Sequence, residues 1–363
     1  MRFGLLIYDS LDFTSGGYIY NRNLVDELRS RGHEVEIVAR PYRNYLSHLR
    51  DNFSKLFSDS VLSLDVDLLL QDELNHPSLV AVNSRIREQR DYPIISIVHH
   101  LRKSEKHPFP FRGFYTWVEK KYLNSVDGFV FNSETTKNSV EGLMGFGSPH
   151  IVAQPAGDRL RSKHSSADIK IRSKQKGPLK VAFVGNLIRR KATHLILETL
   201  TMLESGSVHL SIAGSLEMDP RYVEQIRRLI SQHELSQQVE ILGYLNEENL
   251  TSLLQSSHVM AVPSSYEGYG IVYLEGMGFG LPAIGTLAGA AGEIITNNVD
   301  GFLIKPGSAE QLAERFGQLH EDRARLLEMS LAAVERYQRH PSWQLSMARA
   351  ANFLERTIIE HKP

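Results

Sequence analysis

Two glutamates and two basic residues are the side chains with the clearest chemical potential in this sequence. Glu267 lies in a glycine-containing turn after an apolar run, and Glu275 follows in the second turn of a short helix that Gly270 opens. A helix N-terminus attracts an anion, and a carboxylate one turn further in can accept both hydroxyls of a vicinal diol. Arg190 and Lys191 precede another predicted helix, where cations oppose the helix dipole and favour an anionic partner. Taken alone, each group is also typical of a solvated surface.

The composition limits the classes of protein that can carry these groups. The chain has 363 residues, 42% apolar, with a formal net charge of −1 and no cysteine, which excludes a disordered chain and a disulfide scaffold. Without a basic excess, nucleic-acid binding is not expected. The N-terminal apolar run ends at Asp9, and no run reaches the length of a membrane span. We therefore expect a cytoplasmic protein, which leaves open a position at the inner face of a membrane.

Elements rich in Val, Ile and Leu must position the charged groups. These short runs alternate with helix-length segments, which is typical of parallel β-α-β units and predicts an α/β protein with two doubly wound domains facing a central cleft. The predicted strands are Phe3–Tyr8, Val35–Ala39, Asp67–Leu70, Pro93–Val98, Gly128–Phe131, Ile151–Ala153, Lys180–Val184, Val208–Ala213, Val239–Leu242, His258–Val262, Ala283–Gly285 and Phe302–Ile304.

The alternation stops once and then restarts, which divides the chain. Residues 1–155 form the predicted first domain and residues 179–338 the second. The basic segment 156–178 between them is interpreted as a solvated linker, with an anion-binding strip as the alternative. Residues 308–336 are predicted to be helical, and 339–363 form a last helix that crosses back to the first domain.

The pattern E-G-Y-G-x-x-x-x-E from Glu267 to Glu275 resembles the retaining nucleotide-sugar glycosyltransferases of the family 4 type (glycosyl transferases group 1), which have the GT-B fold. The similarity covers nearly the whole chain. Its other motifs are Gly16-Gly17-Tyr18, Gly32-His33-Glu34-Val35, Phe183-Val184-Gly185-Asn186-Leu187 with Lys191, Leu242-Gly243-Tyr244, and Gly289 to Ile295 followed by Asp300-Gly301-Phe302.

The resemblance implies an activity. It implies net-retaining transfer of a hexose from a nucleotide sugar, with UDP first and GDP next, to a hydroxyl of a glycan, glycolipid or small molecule. No metal or other cofactor is expected. The first domain would face the acceptor and the second would bind the donor. The alternatives are a nucleotide-sugar epimerase of the same fold and an inactive nucleotide-sugar-binding relative.

The resemblance also assigns residues. The implied catalytic residues are Glu267, Lys191 and His99, with Glu275 on the ribose and Lys191 and Arg190 on the diphosphate. The implied donor-binding residues are Glu275, Arg190, Gly270, Tyr269, Ile271, Gly243, Gly16, Gly17 and Asn186. Asn186 is a departure, because many relatives have arginine there as a second phosphate cation.

Three further features each have a structural and a functional interpretation. Asp65 and Asp67 form a D-x-D tripeptide that reads as a strand entry rather than a metal site. His99 and His100 end a strand, where they would either contact a sugar or serve the core. Residues 101–121 are basic and aromatic: they predict a helix with its aromatics in the core, or one that lies on an anionic membrane beside a lipid-linked acceptor.

Overall fold

The computed structural model describes residues 1–13, 15–105, 111–145, 147–160 and 165–361. The predictions that fall on Lys106, Phe109, Arg161 and Lys163 lie outside these residues. The chain divides into two compact units. Unit 1 comprises Met1–Pro155 and Trp343–Pro363, and unit 2 comprises Ala156–Ser342.

Unit 1 is built on a parallel sheet whose strand order is β2-β1-β3-β4-β5-β6. The central strands are buried along their whole length because helices cover both faces. The strands are β1 (Arg2–Tyr8), β2 (Glu34–Arg40), β3 (Leu68–Asp72), β4 (Ile94–Val98), β5 (Gly128–Phe131) and β6 (His150–Val152). The helices are α1 (Gly16–Ser30), α2 (Tyr45–Asp51), α3 (Lys55–Leu62), α4 (His76–Gln89), α5 (Phe111–Leu123) and α6 (Glu134–Met144).

Unit 2 repeats the plan with the order β12-β11-β10-β7-β8-β9. Both sheets are parallel and doubly wound, so the prediction of an α/β protein with two doubly wound domains is confirmed. The strands are β7 (Leu179–Val184), β8 (Val208–Ala213), β9 (Val239–Gly243), β10 (Val259–Ala261), β11 (Ala283–Thr286) and β12 (Gly301–Ile304). The helices are α7 (Ser166–Ser173), α8 (Thr193–Leu200), α9 (Pro220–Gln232), α10 (Glu247–Ser256), α11 (Ile271–Gly278), α12 (Ala291–Ile294), α13 (Ala309–Glu321) and α14 (Arg323–Arg339).

The segment interpreted as a solvated linker is different in the structure. Its residues belong to unit 2 and include α7, which starts with a capping box between Ser165 and Asp168. α7 buries Ile169 and Arg172, and the Arg172 guanidinium donates to the main-chain oxygens of Phe279 and Gly280. Because many residues around α7 are basic, the sequence pattern does not indicate that one face of this helix is buried.

Two other segments also differ from the prediction. Residues 308–336, predicted to be helical throughout, are interrupted at Asp322, whose side chain accepts from the Arg325 N–H and starts α14. The stretch between the predicted strands Val35–Ala39 and Asp67–Leu70, for which the sequence analysis gives no helix, contains α2 and α3. Asn44 and Ser54 cap these helices, accepting from main-chain N–H groups.

The last helix, α15 (Trp343–His361), packs against α1 and β6 within unit 1. The Trp343 ring meets Tyr20 of α1 edge to face, with centroids 6.0 Å apart. Arg31, which follows α1, lies 3.1 Å from Glu355. Throughout the described part of the chain, every helix is too short or too polar to cross a bilayer.

Candidate functional site

The strand order of unit 2 identifies where a ligand is expected. In doubly wound sheets ligands bind beyond the carboxyl ends of the strands, where the strand order reverses. In unit 2 this point lies between β7 and β10, which are neighbours in the sheet. The segment after β7 carries a 3-10 turn at Arg189–Lys191, and the segment after β10 carries Glu267. The topology therefore brings together residues that are far apart in sequence.

Four side chains meet there, and we call them the unit 2 cluster: Arg190, Lys191, Ser264 and Glu267. Lys191 Nζ donates to Glu267 Oε2 over 2.6 Å, and Ser264 Oγ donates to the same oxygen over 3.0 Å. Arg190 Nη1 lies 3.9 Å from Glu267 Oε1 and donates to the Tyr266 carbonyl over 2.8 Å. The predicted catalytic pair of unit 2 is thus in direct contact.

The unit 2 cluster holds opposite charges away from water. Burial opposes ionisation of Glu267, but Lys191 and Arg190 outweigh it and lower the pKa of this carboxyl to about 2. Burial lowers the pKa of Lys191, which Glu267 partly restores. An ammonium group held in such a setting interacts strongly with a further anion.

The Glu267 main chain is fixed by Gly289. Their backbones form an isolated parallel bridge, and the Ala290 N–H donates to the Glu267 carbonyl over 2.9 Å. Gly289 has φ +85°, and a Cβ there would lie only 2.0 Å from the Glu267 carbonyl oxygen. A side chain at this position would displace Glu267.

Glu275 has a partner that the sequence analysis missed. Its side chain is 4% exposed, and Arg159 donates from Nε to Glu275 Oε1 over 3.0 Å, with Nη2 2.9 Å from the same oxygen. Arg159 Nη1 also donates to Glu247 over 3.0 Å. Arg159 had been grouped with the basic linker, and no spacing pattern connects residues 159 and 275.

The predicted donor-binding residues at the start of α11 differ in what they expose. Gly270 caps the helix with φ +101°, and Ile271 is half-buried in the first turn. The Tyr269 side chain is buried, and its hydroxyl lies 3.2 Å from His340 Nε2. The main chain of residues 269–271, rather than the tyrosine ring, is therefore the part suited to contact a ligand.

Asn186 and Gly243 lie at the carboxyl ends of β7 and β9, which are separated by β8 in the unit 2 sheet. Asn186 is half-buried two residues after β7, and Gly243 ends β9 with φ +67°. The Gly243 carbonyl accepts from the Gly214 N–H over 2.8 Å. As an uncharged amide, Asn186 leaves Arg190 and Lys191 as the cations nearest Glu267 among the described residues.

The unit 1 cluster comprises Gly17, Asn21, Asp72 and His99. The His99 Nε2 lies 3.2 Å from Asn21 Oδ1 and 3.7 Å from Asp72 Oδ2, and Asn21 Nδ2 donates to Asp72 Oδ2 over 2.6 Å. A Cβ on Gly17 would stand 3.1 Å from the His99 ring, so the glycine gives the imidazole room, while Gly16 begins α1. Burial lowers the pKa of His99 although Asp72 opposes it. The neutral ring therefore donates through Nε2 and can accept through Nδ1.

The D-x-D residues act as a strand entry. Asp67 accepts from the Arg2 N–H over 2.8 Å, and Asp65 forms an ion pair with the Arg2 guanidinium. These contacts join the starts of β1 and β3, at the opposite end of the strands from the unit 1 cluster.

A second acidic group in unit 1 was not foreseen. Glu73, His76 and Glu119 place three potential metal ligands within 4.8 Å of one another, all buried. His76 Nδ1, the ring nitrogen nearest the two carboxyls, donates to the Glu73 carbonyl over 3.0 Å. This nitrogen is therefore already used in a hydrogen bond. Burial raises the pKa of Glu73 to about 7 and that of Glu119 to about 8. Two such carboxyls can share a proton, which accounts for the group without a metal.

The basic, aromatic helix α5 exposes three aromatic side chains, which disagrees with the first of its two interpretations, that the aromatics lie in the core. Phe111, Phe114 and Trp117 are 55%, 40% and 59% exposed. We call these three, with the exposed residues Arg112, Lys120 and Lys121, the α5 face. The C-terminal half of the helix buries Val118, Glu119, Tyr122 and Leu123.

Comparison with protein families gives two matches that together cover most of the chain. Residues 14–157 match the family described as Glycosyltransferase Family 4, and residues 165–336 match Glycosyl transferases group 1. An uncharacterized glycosyltransferase of Methanocaldococcus jannaschii, MJ1607, is 34% identical over 134 residues, which are 37% of this chain and 33% of that protein. The matched part spans between a third and 58% of the length of the first curated relatives.

Solved structures match over nearly the full length. Sucrose-phosphate synthase from Thermosynechococcus elongatus superposes with a TM-score of 0.84 at 18% identity, covering 99% of both chains. HepE of Anabaena, solved in complex with UDP and glucose, superposes with a TM-score of 0.76 at 18% identity, covering 98% of this chain and 99% of its own. At these identities the likeness establishes the fold.

Proposed function

Because the chain belongs to the group 1 glycosyltransferases with the GT-B fold, we propose that it is a retaining, metal-independent hexosyltransferase. Its donor is a nucleotide sugar, UDP-linked first and GDP-linked next, and its acceptor is a hydroxyl of a glycan, glycolipid or small molecule. The observation that carries the proposal is the contact of Lys191 with Glu267 at the switch point of unit 2. HepE, solved with UDP and glucose, supports UDP as the first nucleotide to test.

The positive side chains of the unit 2 cluster stabilise the negative charge of the departing diphosphate. When the sugar–phosphate bond breaks, negative charge builds on the phosphate oxygens, and fixed cations at that position lower the barrier. Lys191 and Arg190 take this role, and the start of α11 adds N–H groups. In the metal-independent reaction that we propose, these two side chains take the place of a divalent ion. Glu267 holds Lys191 in place and contacts the transferred sugar.

The remaining steps follow from the other assigned residues. Glu275 accepts the ribose hydroxyls, and the main chain around Gly243 contacts the base. In unit 1, His99 Nδ1 accepts from a hydroxyl of the transferred sugar, because Nε2 is occupied by Asn21 and Asp72. The leaving diphosphate takes the acceptor proton on the face it departs from, which gives net retention.

The α5 face supports a peripheral contact with an anionic membrane. Exposed aromatic rings flanked by lysine and arginine suit the interface of a bilayer that carries negative headgroups. The three exposed aromatic rings and three exposed basic side chains of α5 lie within eleven residues, and the acidic Glu119 of the same helix is buried. This position would give access to a lipid-linked acceptor.

The alternatives are less well supported. An epimerase would need a base that removes a proton from the sugar, whereas Lys191 and Arg190 lower the pKa of Glu267 to about 2, which makes its carboxylate a weak base. The two matching families describe glycosyl transferases. An inactive binder remains distinguishable, because it would bind nucleotide without consuming a donor.

Thermal unfolding with UDP, GDP, ADP and dTDP, with and without EDTA, is the first test. A ligand at about 100 times its Kd stabilises by about 2.7 kcal/mol, which raises Tm by a few degrees. We expect one nucleotide to raise Tm equally in EDTA, and its hexose conjugate to be consumed with retained anomeric configuration, followed by NMR. Loss of activity in EDTA would disprove metal independence, and no shift with any nucleotide would contradict the proposed donor.

A further inference from the structure

Arg159 lies between two acidic residues of unit 2, and different nitrogens of its guanidinium group contact each of them. Its Nε and Nη2 approach a single oxygen of Glu275, at 3.0 and 2.9 Å, and Nη1 reaches Glu247 at 3.0 Å. Glu247 is 67% exposed, whereas the Glu275 side chain is 4% exposed. The buried carboxylate is the partner for which the arginine matters more, because a buried charge without a counter-charge is costly.

The main chain beside Arg159 is seated on α11. A Cβ on Gly157 would lie 2.7 Å from the Leu274 carbonyl carbon and 2.9 Å from the Glu275 nitrogen. The backbone at residue 157 therefore touches the peptide that carries Glu275. This close approach is independent of the ion pair, and it fixes the origin of the Arg159 side chain relative to the carboxylate.

The electrostatic setting of Glu275 depends on Arg159. Burial raises the pKa of Glu275, Arg159 lowers it and Glu247 raises it further. Among the described residues, Tyr337 also interacts electrostatically with this carboxyl. Burial raises the pKa of Tyr337, and the charges of Asp158 and Glu275 raise it further. Without Arg159 no cation among these groups would oppose burial, so the carboxyl would keep its proton to a higher pH.

A protonated carboxyl is a poorer partner for a diol. An ionised carboxylate accepts with two oxygens, whereas the protonated form gives up part of that capacity to its own O–H. The contacts of Arg159 with Glu275 are to Oε1, and among the described residues Oε2 has no hydrogen-bond donor. Oε2 is therefore available to a ribose hydroxyl.

We propose that Arg159 is the positioning residue for ribose recognition: it holds Oε1 of Glu275, keeps the buried carboxylate ionised and leaves Oε2 to the ribose. The inference rests on the proposed function, in which Glu275 binds the ribose of the donor. It adds a residue outside the E-G-Y-G-x-x-x-x-E motif and predicts that ribose recognition becomes pH-dependent when that residue is changed.

The test compares binding of UDP with 2′-deoxy-UDP, and GDP with 2′-deoxy-GDP, by calorimetry at about pH 6.5 and about pH 8.5. The ratio of the two Kd values isolates the ribose hydroxyl, because both ligands carry the same titrating phosphates. In the unchanged protein we expect a preference for the ribonucleotide of about tenfold at both pH values, as a hydrogen bond to a charged group gives. Arg159→Met should lose it at the lower pH and recover it at the higher.

Matched variants separate the possible outcomes. Arg159→Lys keeps the charge, so its preference should change little with pH even if Arg159→Met does not fold. Arg228→Met removes an exposed arginine paired with Glu224 on α9 and should behave as the unchanged protein. A preference in Arg159→Met equal to the unchanged protein at both pH values, or equally absent at both, would overturn the inference, as would a preference in Arg159→Lys that collapses at the lower pH.

The proposed function fails in a different way. If the unchanged protein binds neither nucleotide pair, the donor assignment is wrong. If Glu275→Gln keeps the full preference for the ribonucleotide, Glu275 is not the ribose ligand. Neither result depends on Arg159.

Discussion

Lys191 Nζ lies 2.6 Å from Glu267 Oε2, although 76 residues separate the two in sequence. The parallel order β10-β7 makes this contact possible, because the two residues follow adjacent strands. A diphosphate that binds Lys191 competes with Glu267 for the same ammonium group. In the proposed function, the pair would therefore link donor binding to the position of the carboxylate assigned to the sugar.

Replacing Lys191 should affect activity and stability in separable ways. Lys191→Met should lower the transfer rate by about 100-fold or more, because a cation beside the leaving group is lost. It should also destabilise the fold by about 3 kcal/mol, because the buried Glu267 would lose its nearest counter-charge. The double variant with Glu267→Gln should regain stability but not activity. Turnover and Tm are the measurements, and Lys174→Met, at an exposed lysine, is the control. A wild-type rate in Lys191→Met would return this lysine to a structural role.

Arg190 should supply the second phosphate cation that Asn186 does not. We expect Arg190→Ala to weaken UDP binding about tenfold and to leave uridine binding unchanged, because only the former carries a diphosphate. Adding Asn186→Arg to that variant should restore UDP affinity, since it places a guanidinium at the position where the resemblance implies a second phosphate cation. Isothermal titration with both ligands measures this. Equal losses for UDP and uridine would show that Arg190 supports the loop and not the phosphate.

The strands could be predicted from sequence because the signal is local. Runs of Val, Ile and Leu, separated by helix-length segments, are enough to locate parallel strands. The same reasoning failed for α7, where Arg172 is buried and donates to main-chain carbonyl oxygens. In the sequence, such an arginine cannot be distinguished from one exposed to solvent. It also gives no helix at α2 and α3, because their periodic segments are only seven and eight residues long.

Residues of the candidate site were predicted where a motif links them. Glu267, Glu275 and Lys191 fall within motifs of the resembling family, and the strand order explains how two of them meet. Arg159 and the pair Glu73 and Glu119 could not be found, because their contacts depend on tertiary packing between segments with no common spacing. A single arginine or glutamate in a sequence does not indicate that it is buried.

The two buried carboxyls of unit 1 should make stability depend on pH. Glu73 and Glu119 have pKa values of about 7 and 8, above the ordinary value of 4.5. The folded chain therefore keeps protons that the unfolded chain releases, so the free energy of unfolding falls as pH rises from about 4.5 to about 8 and then levels off.

Glu73→Gln should reduce this dependence, because the amide can donate to Glu119 and stays neutral. We expect its Tm to exceed that of the unchanged protein by a few degrees at pH 8 and to differ less at pH 5. Glu88→Gln, at an exposed position of α4, is the control. Melting curves between pH 5 and pH 9 measure the effect. Parallel profiles for Glu73→Gln and the unchanged protein would contradict the shared proton.

The α5 face should bind anionic membranes through Trp117 and its neighbours. The chain has two tryptophans, and Trp343 is buried, so Trp343→Phe leaves Trp117 as the fluorescent reporter. With vesicles containing phosphatidylglycerol we expect a blue shift and co-sedimentation that weaken with salt, because each cation near the surface contributes about 1 kcal/mol. Replacing Phe114 and Trp117 by serine should abolish co-sedimentation, whereas Leu331→Ser, at an exposed apolar residue of unit 2, should not. Equal binding to neutral phosphatidylcholine vesicles would contradict the role of the basic residues, and no binding to either would remove the membrane from the proposal.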